Sequence, residues 1–369
     1  MIDYRKATND PINYNGKAAK NNYFFGNSSS QTQEAPSDNF GNLIFEDNFD
    51  DFNMKTWKHD ITLGGGGNWE FEYYTNNRSS SFVKNGQLHI RPVLTSEMLG
   101  EAAVVNGGTI DLWGNQPNMK CTANAFYGCM RSSNGNNYLN PIQSALIRSH
   151  EKFSFTYGKV EIRARLPKGD WIWPAIWMLP ADHNYGSWPS SGEIDIVESR
   201  GNDPGYPGQG RNMFASTLHW GPSWDYNRYQ MTTASYALPG GQSFSDDFHT
   251  FTLEWTGDYL RTYVDNQPVL TVNYDKSYWD RGQFPSYLNN PWQGRSKSAP
   301  FDRDFYLIFN VAVGGTNGYF PEGAGNKPWS NQSPVAMKEF WDNRNQWLPT
   351  WPKDDRRDLI IDYVRVYSL

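Results

Sequence analysis

From Leu43 to the C-terminus, short apolar runs alternate with clusters of Gly, Pro, Asn, Asp and Ser. Side chains that alternate with a period of two over four to eight residues, bounded by turn residues, mark strands with one buried face. The pattern predicts strands at residues 43–49, 87–93, 144–150, 158–166, 173–179, 193–199, 214–220, 250–255, 260–264, 305–313 and 359–367. Thr256-Gly257-Asp258 and Asp265-Asn266 are turn sequences that make hairpins of the strands around them. A helical period is visible only at residues 335–343. So many strands with so little helix predict an all-β sandwich. Residues 1–40 are Asn-, Ser-, Gly- and Gln-rich, which predicts a polar extension, disordered or packed on the body, ahead of a single domain at 41–369. The long segments 95–143, 200–212, 221–247 and 275–300 read as loops that wall a functional site.

Composition narrows the partner. A net charge of -6 without a dense Lys/Arg cluster gives no electrostatic footprint for nucleic acid. No run of 18 apolar residues exists, so no membrane partner is expected, and nothing calls for more than a monomer. Residues 1–6 (MIDYRK) lack the apolar core of an export signal; secretion, with which sequons at Asn27, Asn77 and Asn331 are compatible, would require a signal removed from this chain. Cys121 and Cys129 can form one short disulfide or remain two thiols. Gly64 to Gly67 lacks the following Lys of a phosphate-binding loop, and no Cys/His cluster has zinc spacing.

The chemistry concentrates in Gly192-Glu193-Ile194-Asp195-Ile196-Val197-Glu198-Ser199. Alternation buries Ile194 and Ile196 and turns Glu193 and Asp195 to the other face. Glu198 is out of phase by one residue, and a β-bulge near Val197 restores it to the acidic face. Paired carboxylates on one face suit retaining glycoside hydrolysis, in which one acts as nucleophile and the other as acid/base. Asp195 between them would hydrogen-bond Glu193 and help keep the proton on Glu198, since adjacent carboxylates push their pKa values apart.

These residues resemble glycoside hydrolase family 16 in its laminarinase branch, whose signature is E-x-D-x-x-E. Trp173-Pro174-Ala175-Ile176-Trp177-Met178-Leu179-Pro180, Tyr185-Gly186-Ser187-Trp188-Pro189 and Glu198-Ser199-Arg200-Gly201-Asn202 extend the likeness, as do Leu218-His219-Trp220, Phe309 to Gly315 and Ile361 to Val366. The long loops look most like fungal and invertebrate glucanases or glucan-binding members. The resemblance implies a jelly roll of two curved antiparallel sheets with the carboxylate strand on the floor of a concave cleft. It also implies an endo-β-1,3-glucanase acting by double displacement on laminarin-type glucan without a catalytic cofactor, with transfer to an acceptor sugar as a variant outcome. Glu193 becomes the nucleophile, Glu198 the acid/base, Asp195 their assistant and His219 a neighbour of the nucleophile.

Sugar rings stack their C–H faces on indoles, so Trp173, Trp177, Trp188 and Trp220 are the expected cleft aromatics. Arg163 and Asn310 are expected to bond glucose hydroxyls, with Glu161 orienting Arg163. The resemblance further implies a structural calcium on the convex face, held by Asp362 with Glu46 and Gly86 nearby; oxygen-only ligands suit calcium.

Overall fold

The computed structural model describes residues 40–114 and 120–369. The extension read at residues 1–40, with the sequon at Asn27, lies outside them except for Phe40. Two antiparallel sheets carry the fold. The first runs in the order Gln267–Asn273, Tyr259–Val264, His249–Trp255, Gly158–Arg165, Leu359–Tyr367, Leu88–Ile90, Ser81–Val83, with Leu43–Asp47 also paired to Leu359–Tyr367. The second runs Thr233–Ala237, Met213–His219, Glu193–Ser199, Ile172–Pro180, Phe305–Val313, Leu146–Arg148, Lys58–His59. The fold is an all-β jelly roll, as the alternation and the resemblance imply, and neither sheet closes into a barrel.

One hydrophobic core lies between the sheets. Val160, Ile162, Phe251, Leu253, Val364 and Val366 of the first sheet belong to the same buried cluster as Ile176, Met178, Ile194, Ile196, Val197, Phe309 and Val311 of the second. Thr262 Oγ1 donates across the gap to Ser216 Oγ at 2.8 Å. The strand Phe305–Val313 is buried at every position, because its second face is covered as well. On that second face Leu179, Tyr306 and Ile308 form a separate apolar cluster with Leu146, Trp177 and Trp188 against it.

The carboxylate strand is bulged where the sequence phase breaks. Asp195 pairs with Thr217 and Glu198 with Ala215, so three steps on one strand match two on the other. Against the opposite neighbour, Val197 pairs with Ile176 and Asp195 with Trp177, which leaves Ile196 as the extra residue. Ile194, Ile196 and Val197 are all buried in the core. Both bulge side chains therefore enter the interior, and Glu198 returns to the face of Glu193 and Asp195. Gly192 enters this strand at φ 87, and a Cβ there would meet Phe301 at 3.0 Å and Phe305 at 3.2 Å. Only glycine fits both constraints.

Several expectations need correction. The strand Thr233–Ala237 falls within segment 221–247, read as a loop; it and Gln267–Asn273, which pairs with Tyr259–Val264 across the Asp265-Asn266 turn, are half-exposed edge strands. Segment 95–143 is also more structured than a loop: it holds short helices Ser96–Leu99 and Glu101–Val105, the hairpin of Asn106–Asp111 with Met130–Asn134, and a disulfide joining Cys121 to Cys129. The helix expected at 335–343 is present as Ala336–Asp342.

Glu161 and Arg163 sit in the first sheet, on the face opposite the core-facing Val160 and Ile162. They cannot reach a ligand on the second sheet. Glu161 pairs with Lys159 Nζ at 2.7 Å, and Arg163 Nη1 binds Asp362 Oδ2 at 2.7 Å. This pairing also bears on the calcium expectation. Asp362 accepts from the Arg163 guanidinium and from Gln87 Nε2, while Glu46 accepts from Arg365 Nε at 2.7 Å. Two carboxylates each neutralised by a guanidinium do not fit a calcium site built on Asp362, Glu46 and Gly86.

The bulge yields a direct test. Deleting Val197 leaves Glu193-Ile194-Asp195-Ile196-Glu198, in which plain alternation keeps Glu198 opposite Ala215 on the acidic face without a bulge, at the loss of one fully buried side chain from the core. The deletion is expected to keep the fold and any activity that needs Glu198 while losing the burial of one valine, about 1–3 kcal/mol in a denaturation curve; a deletion variant with Glu198 turned into the core contradicts the bulge. Val197→Ala, which keeps the residue count, should retain activity while losing about 1–3 kcal/mol of stability in a denaturation curve.

Candidate active site

Glu193, Asp195 and Glu198 project onto the face of the second sheet that carries the Leu179–Tyr306–Ile308 cluster. Pairing fixes their surroundings row by row. Thr217, Asp195, Trp177, Ile308 and Arg148 line up across five strands, and Ala215, Glu198, Ala175, Asn310 and Leu146 form the next row. His219 stands directly opposite Glu193.

Two of the three carboxylates accept from an indole N–H. Trp188 Nε1 donates to Glu193 Oε2 at 2.9 Å. Trp173 Nε1 donates to Glu198 Oε1 at 3.1 Å. His219 Nε2 lies 3.2 Å from Asp195 Oδ2 and 3.7 Å from Glu193 Oε1. The donors are themselves held. In the Trp188 loop, Ser191 Oγ accepts from Tyr185 N and donates to Gly186 O, Ser190 Oγ donates to Pro222 O, and Gly192 N closes on Pro189 O. Trp173 is stacked face to face on Tyr319 at 3.8 Å, and the Arg200 guanidinium caps the other side of Tyr319 at 3.9 Å.

Burial dominates the electrostatics. Desolvation and the neighbouring Asp195 push Glu193 up to about 8, against the opposing pull of His219 and the Trp188 hydrogen bond. Asp195 is held well above its ordinary range by desolvation and then by Glu198. Glu198 is raised by desolvation, with His219, Trp173 and Arg200 pulling the other way. Three adjacent carboxylates in a desolvated row cannot all be charged, so the cluster retains protons near neutrality. Glu193, Asp195 and His219 also lie close enough together to ligate a metal ion; one Glu193 oxygen is already taken by Trp188.

The expected cleft aromatics separate into different roles. Trp177 and Trp188 are half-buried on the apolar floor, and Trp177 Nε1 donates to Asn310 Oδ1 at 2.7 Å. Trp173 is buried against Glu198 and offers no open face. Trp220 does not belong to the cleft: it is fully buried, bonds Thr232 Oγ1 at 2.8 Å and packs on Tyr278, Phe284 and Trp292. One residue past His219, it takes the opposite face of the strand end. Asn310 lies on the floor, but its amide is spent on Trp177 and on the Tyr74 hydroxyl.

Sequence reasoning missed several neighbours. Arg148 reaches the same face as Trp177 and pairs with Asp60 at 2.8 Å. Glu70 accepts from Tyr74 OH and Asn68, and its charge acts on Glu198. Glu72 is buried beside it, accepts from Val313 N at 2.6 Å and is held well above the carboxylate range by desolvation and Glu70. Asn227 bonds His219, and Tyr229 stacks on its ring at 5.1 Å. Periodicity could not have found Asn227, Tyr229 or Glu70, which come from irregular segments, whereas Arg148 lies in the strand read at 144–150.

Comparisons with known proteins agree with this geometry. Residues 111–297 match the family model described as glycosyl hydrolases family 16. A β-1,3-glucan-binding protein of Penaeus monodon is 50% identical over 333 residues, covering 89% of this chain and 90% of that protein. Glucan endo-1,3-β-glucosidase A1 of Niallia circulans is 31% identical over 89% of this chain, which spans only 38% of that longer protein. The laminarinase catalytic domain from Thermotoga maritima superposes with a TM-score of 0.56 at 28% identity, covering 89% of this chain and 99% of that one.

The raised carboxylates make stability depend on pH. Glu193 holds its proton more tightly in the folded state, so its contribution is complete below about 4.5, the ordinary value, and is lost as pH rises through about 8. Asp195 and Glu198 act with the same sign. The melting temperature is expected to fall between pH 5 and pH 8, and Glu193→Gln should flatten that fall and melt higher than the native protein at pH 8 by an amount worth on the order of a few kcal/mol. A scanning-calorimetry series across this range checks it; a Gln variant that melts lower at pH 8 contradicts it.

Proposed function

The chain belongs to glycosyl hydrolase family 16, and from that premise we propose that it is a retaining hydrolase of β-1,3-linked glucan. The observation that carries the reading is the bulge, which sets Glu193 and Glu198 on one face of the cleft, each with a separate indole donor. Two carboxylates on one strand address opposite sides of a glycosidic bond when the sugar chain crosses the strands. The row through Trp177 and Ile308 gives such a chain an apolar floor.

The reactive form has Glu193 ionised and Glu198 protonated. Glu198 gives its proton to the glycosidic oxygen as the bond from that oxygen to the anomeric carbon breaks, and a Glu193 oxygen forms the new bond to the anomeric carbon. Glu198, now charged and stabilised by the Trp173 N–H, takes a proton from water; the resulting hydroxide displaces Glu193, and two inversions restore the β configuration. With its Oε2 held by Trp188, Glu193 keeps Oε1 as the attacking atom. Asp195, buried between the two and within reach of His219, keeps the proton that would otherwise compete for Glu193. The disulfide suits an oxidising compartment, and we place the activity outside the cell.

A second reading is recognition of glucan without cleavage, favoured by the Penaeus monodon relative, which is named for binding. Release of reducing ends from laminarin, with lichenan, carrageenan and agarose as linkage controls, separates the two. The native protein is expected to cleave laminarin and to release β-anomers first, as followed by NMR. Glu193→Gln should lower kcat by at least about 10³ while laminarin affinity changes only a few-fold. Native protein that binds laminarin and releases no reducing ends would leave the recognition reading standing instead.

A further inference from the structure

Asn227 meets His219 in a way that fixes more than the position of the ring. Its side-chain oxygen accepts from two backbone N–H groups, Trp220 N at 3.3 Å and Tyr229 N at 3.2 Å. An amide oxygen bound to two N–H donors leaves the NH2 end to face the other way, and that end lies 2.7 Å from His219 Nδ1. An NH2 group can only donate, so Nδ1 must present its lone pair. In a neutral imidazole the proton is then on Nε2, the nitrogen that lies 3.2 Å from Asp195 Oδ2, a buried oxygen without a hydrogen-bond partner, and 3.7 Å from Glu193 Oε1.

The ring has little freedom to escape this arrangement. Tyr229 stacks on it at 5.1 Å with planes 27° apart, and Trp188 lies 5.5 Å away on the nucleophile side. The other tautomer would turn a lone pair toward two carboxylates and an N–H toward an NH2 group, losing both contacts. Asn227 therefore has two separable duties: its oxygen holds the loop, and its nitrogen sets the histidine.

We propose that Asn227 is a positioning residue that locks His219 as the Nε2–H tautomer, so that the histidine is a fixed proton donor to the Asp195–Glu193 pair. This rests on the reading of Glu193 as nucleophile. A donor held in place supports the ionised form of Glu193 against the burial that opposes it, at no reorganisation cost when the carboxylate reacts. A sequence of this pattern would find the histidine and miss its partner, because the partner comes from the turn after the strand.

The substitution Asn227→Asp separates the two duties. It keeps an oxygen for Trp220 N and Tyr229 N but replaces the NH2 donor with an acceptor that draws a proton onto Nδ1. Nitrogen-15 NMR of the imidazoles is expected to show a protonated Nε2 and a bare Nδ1 in the native protein, and a protonated Nδ1 in Asn227→Asp, with His219→Gln identifying the resonances. On laminarin, kcat should fall about tenfold or more with KM little changed and the melting temperature nearly constant. In a His219→Ala background, Asn227→Asp should cause no further loss of kcat. A native His219 protonated on Nδ1, an Asn227→Asp variant with full kcat, or an equal loss in the His219→Ala background would each overturn the proposal. If the native protein cleaves no glucan, the proposed function fails, and the NMR result still decides the tautomer.

Discussion

Everything at the site follows from one constraint: three carboxylates share a strand whose other face is packed into the core. Ile194, Ile196 and Val197 anchor that strand with three fully buried side chains. Because the strand carries one residue more between Asp195 and Glu198 than alternation allows, strict pairing would send Glu198 inward with them, and bulging the extra residue at Ile196 is what keeps it on the face of Glu193 and Asp195. Removing Glu198 from the interior does not make the row comfortable. Glu193, Asp195 and Glu198 remain desolvated and close to one another, and each is pushed upward in pKa by burial first and by a like-charged neighbour as well or next.

A row of this kind persists because the surrounding fold over-determines it. Each carboxylate lies beside a nitrogen that is itself immobilised: Trp188 by serine hydroxyls in its loop, Trp173 by the Tyr319 and Arg200 stack, His219 by Asn227 and Tyr229. The second layer comes from segments distant in the chain, since Tyr319 lies beyond the strand Phe305–Val313 and Asn227 follows Met213–His219. Loops that looked like walls are in this sense supports. Their contribution is to fix direction, which a water-exposed side chain could not hold without a large entropy cost.

The parts of this design that were legible in the sequence are those written in local periodicity. Strands 193–199 and 359–367 coincide with their apolar alternation and 305–313 with a nearly continuous apolar run, and the break of phase at Glu198 announced the bulge. What periodicity could not supply is which sheet a strand joins. The run 158–165 alternates well, yet that alternation is the same whether the polar face looks into the cleft or out to solvent, so Arg163 and Glu161 were placed on the wrong sheet. Trp220 failed for a related reason, because an indole at a strand end can take either face, and here Thr232, Tyr278 and Trp292 supply the interior partners. The calcium expectation came by resemblance alone, and the guanidinium of Arg163, invisible to any pattern, occupies Asp362.

The same geometry constrains the direction of a bound chain. Glu193 and Glu198 are separated along the strand, so a bond lying between them is crossed by the strand direction, and the chain that contains it passes from strand to strand. On one side it meets Trp177, Ile308 and Arg148, an apolar floor ending in a guanidinium. On the other it meets Thr217 and the ring of Tyr229 beside His219. The two halves are chemically unlike: the first is part of the sheet and rigid by its backbone pairing, whereas the second is built from the loop that also carries Asn227. A change in that loop thus reaches Glu193 through His219, while a change on the Arg148 side reaches only the sheet-borne floor. Binding and bond cleavage are separable in this fold for that reason. A relative could lose the second and keep the first by altering a loop residue, with the three carboxylates still in place.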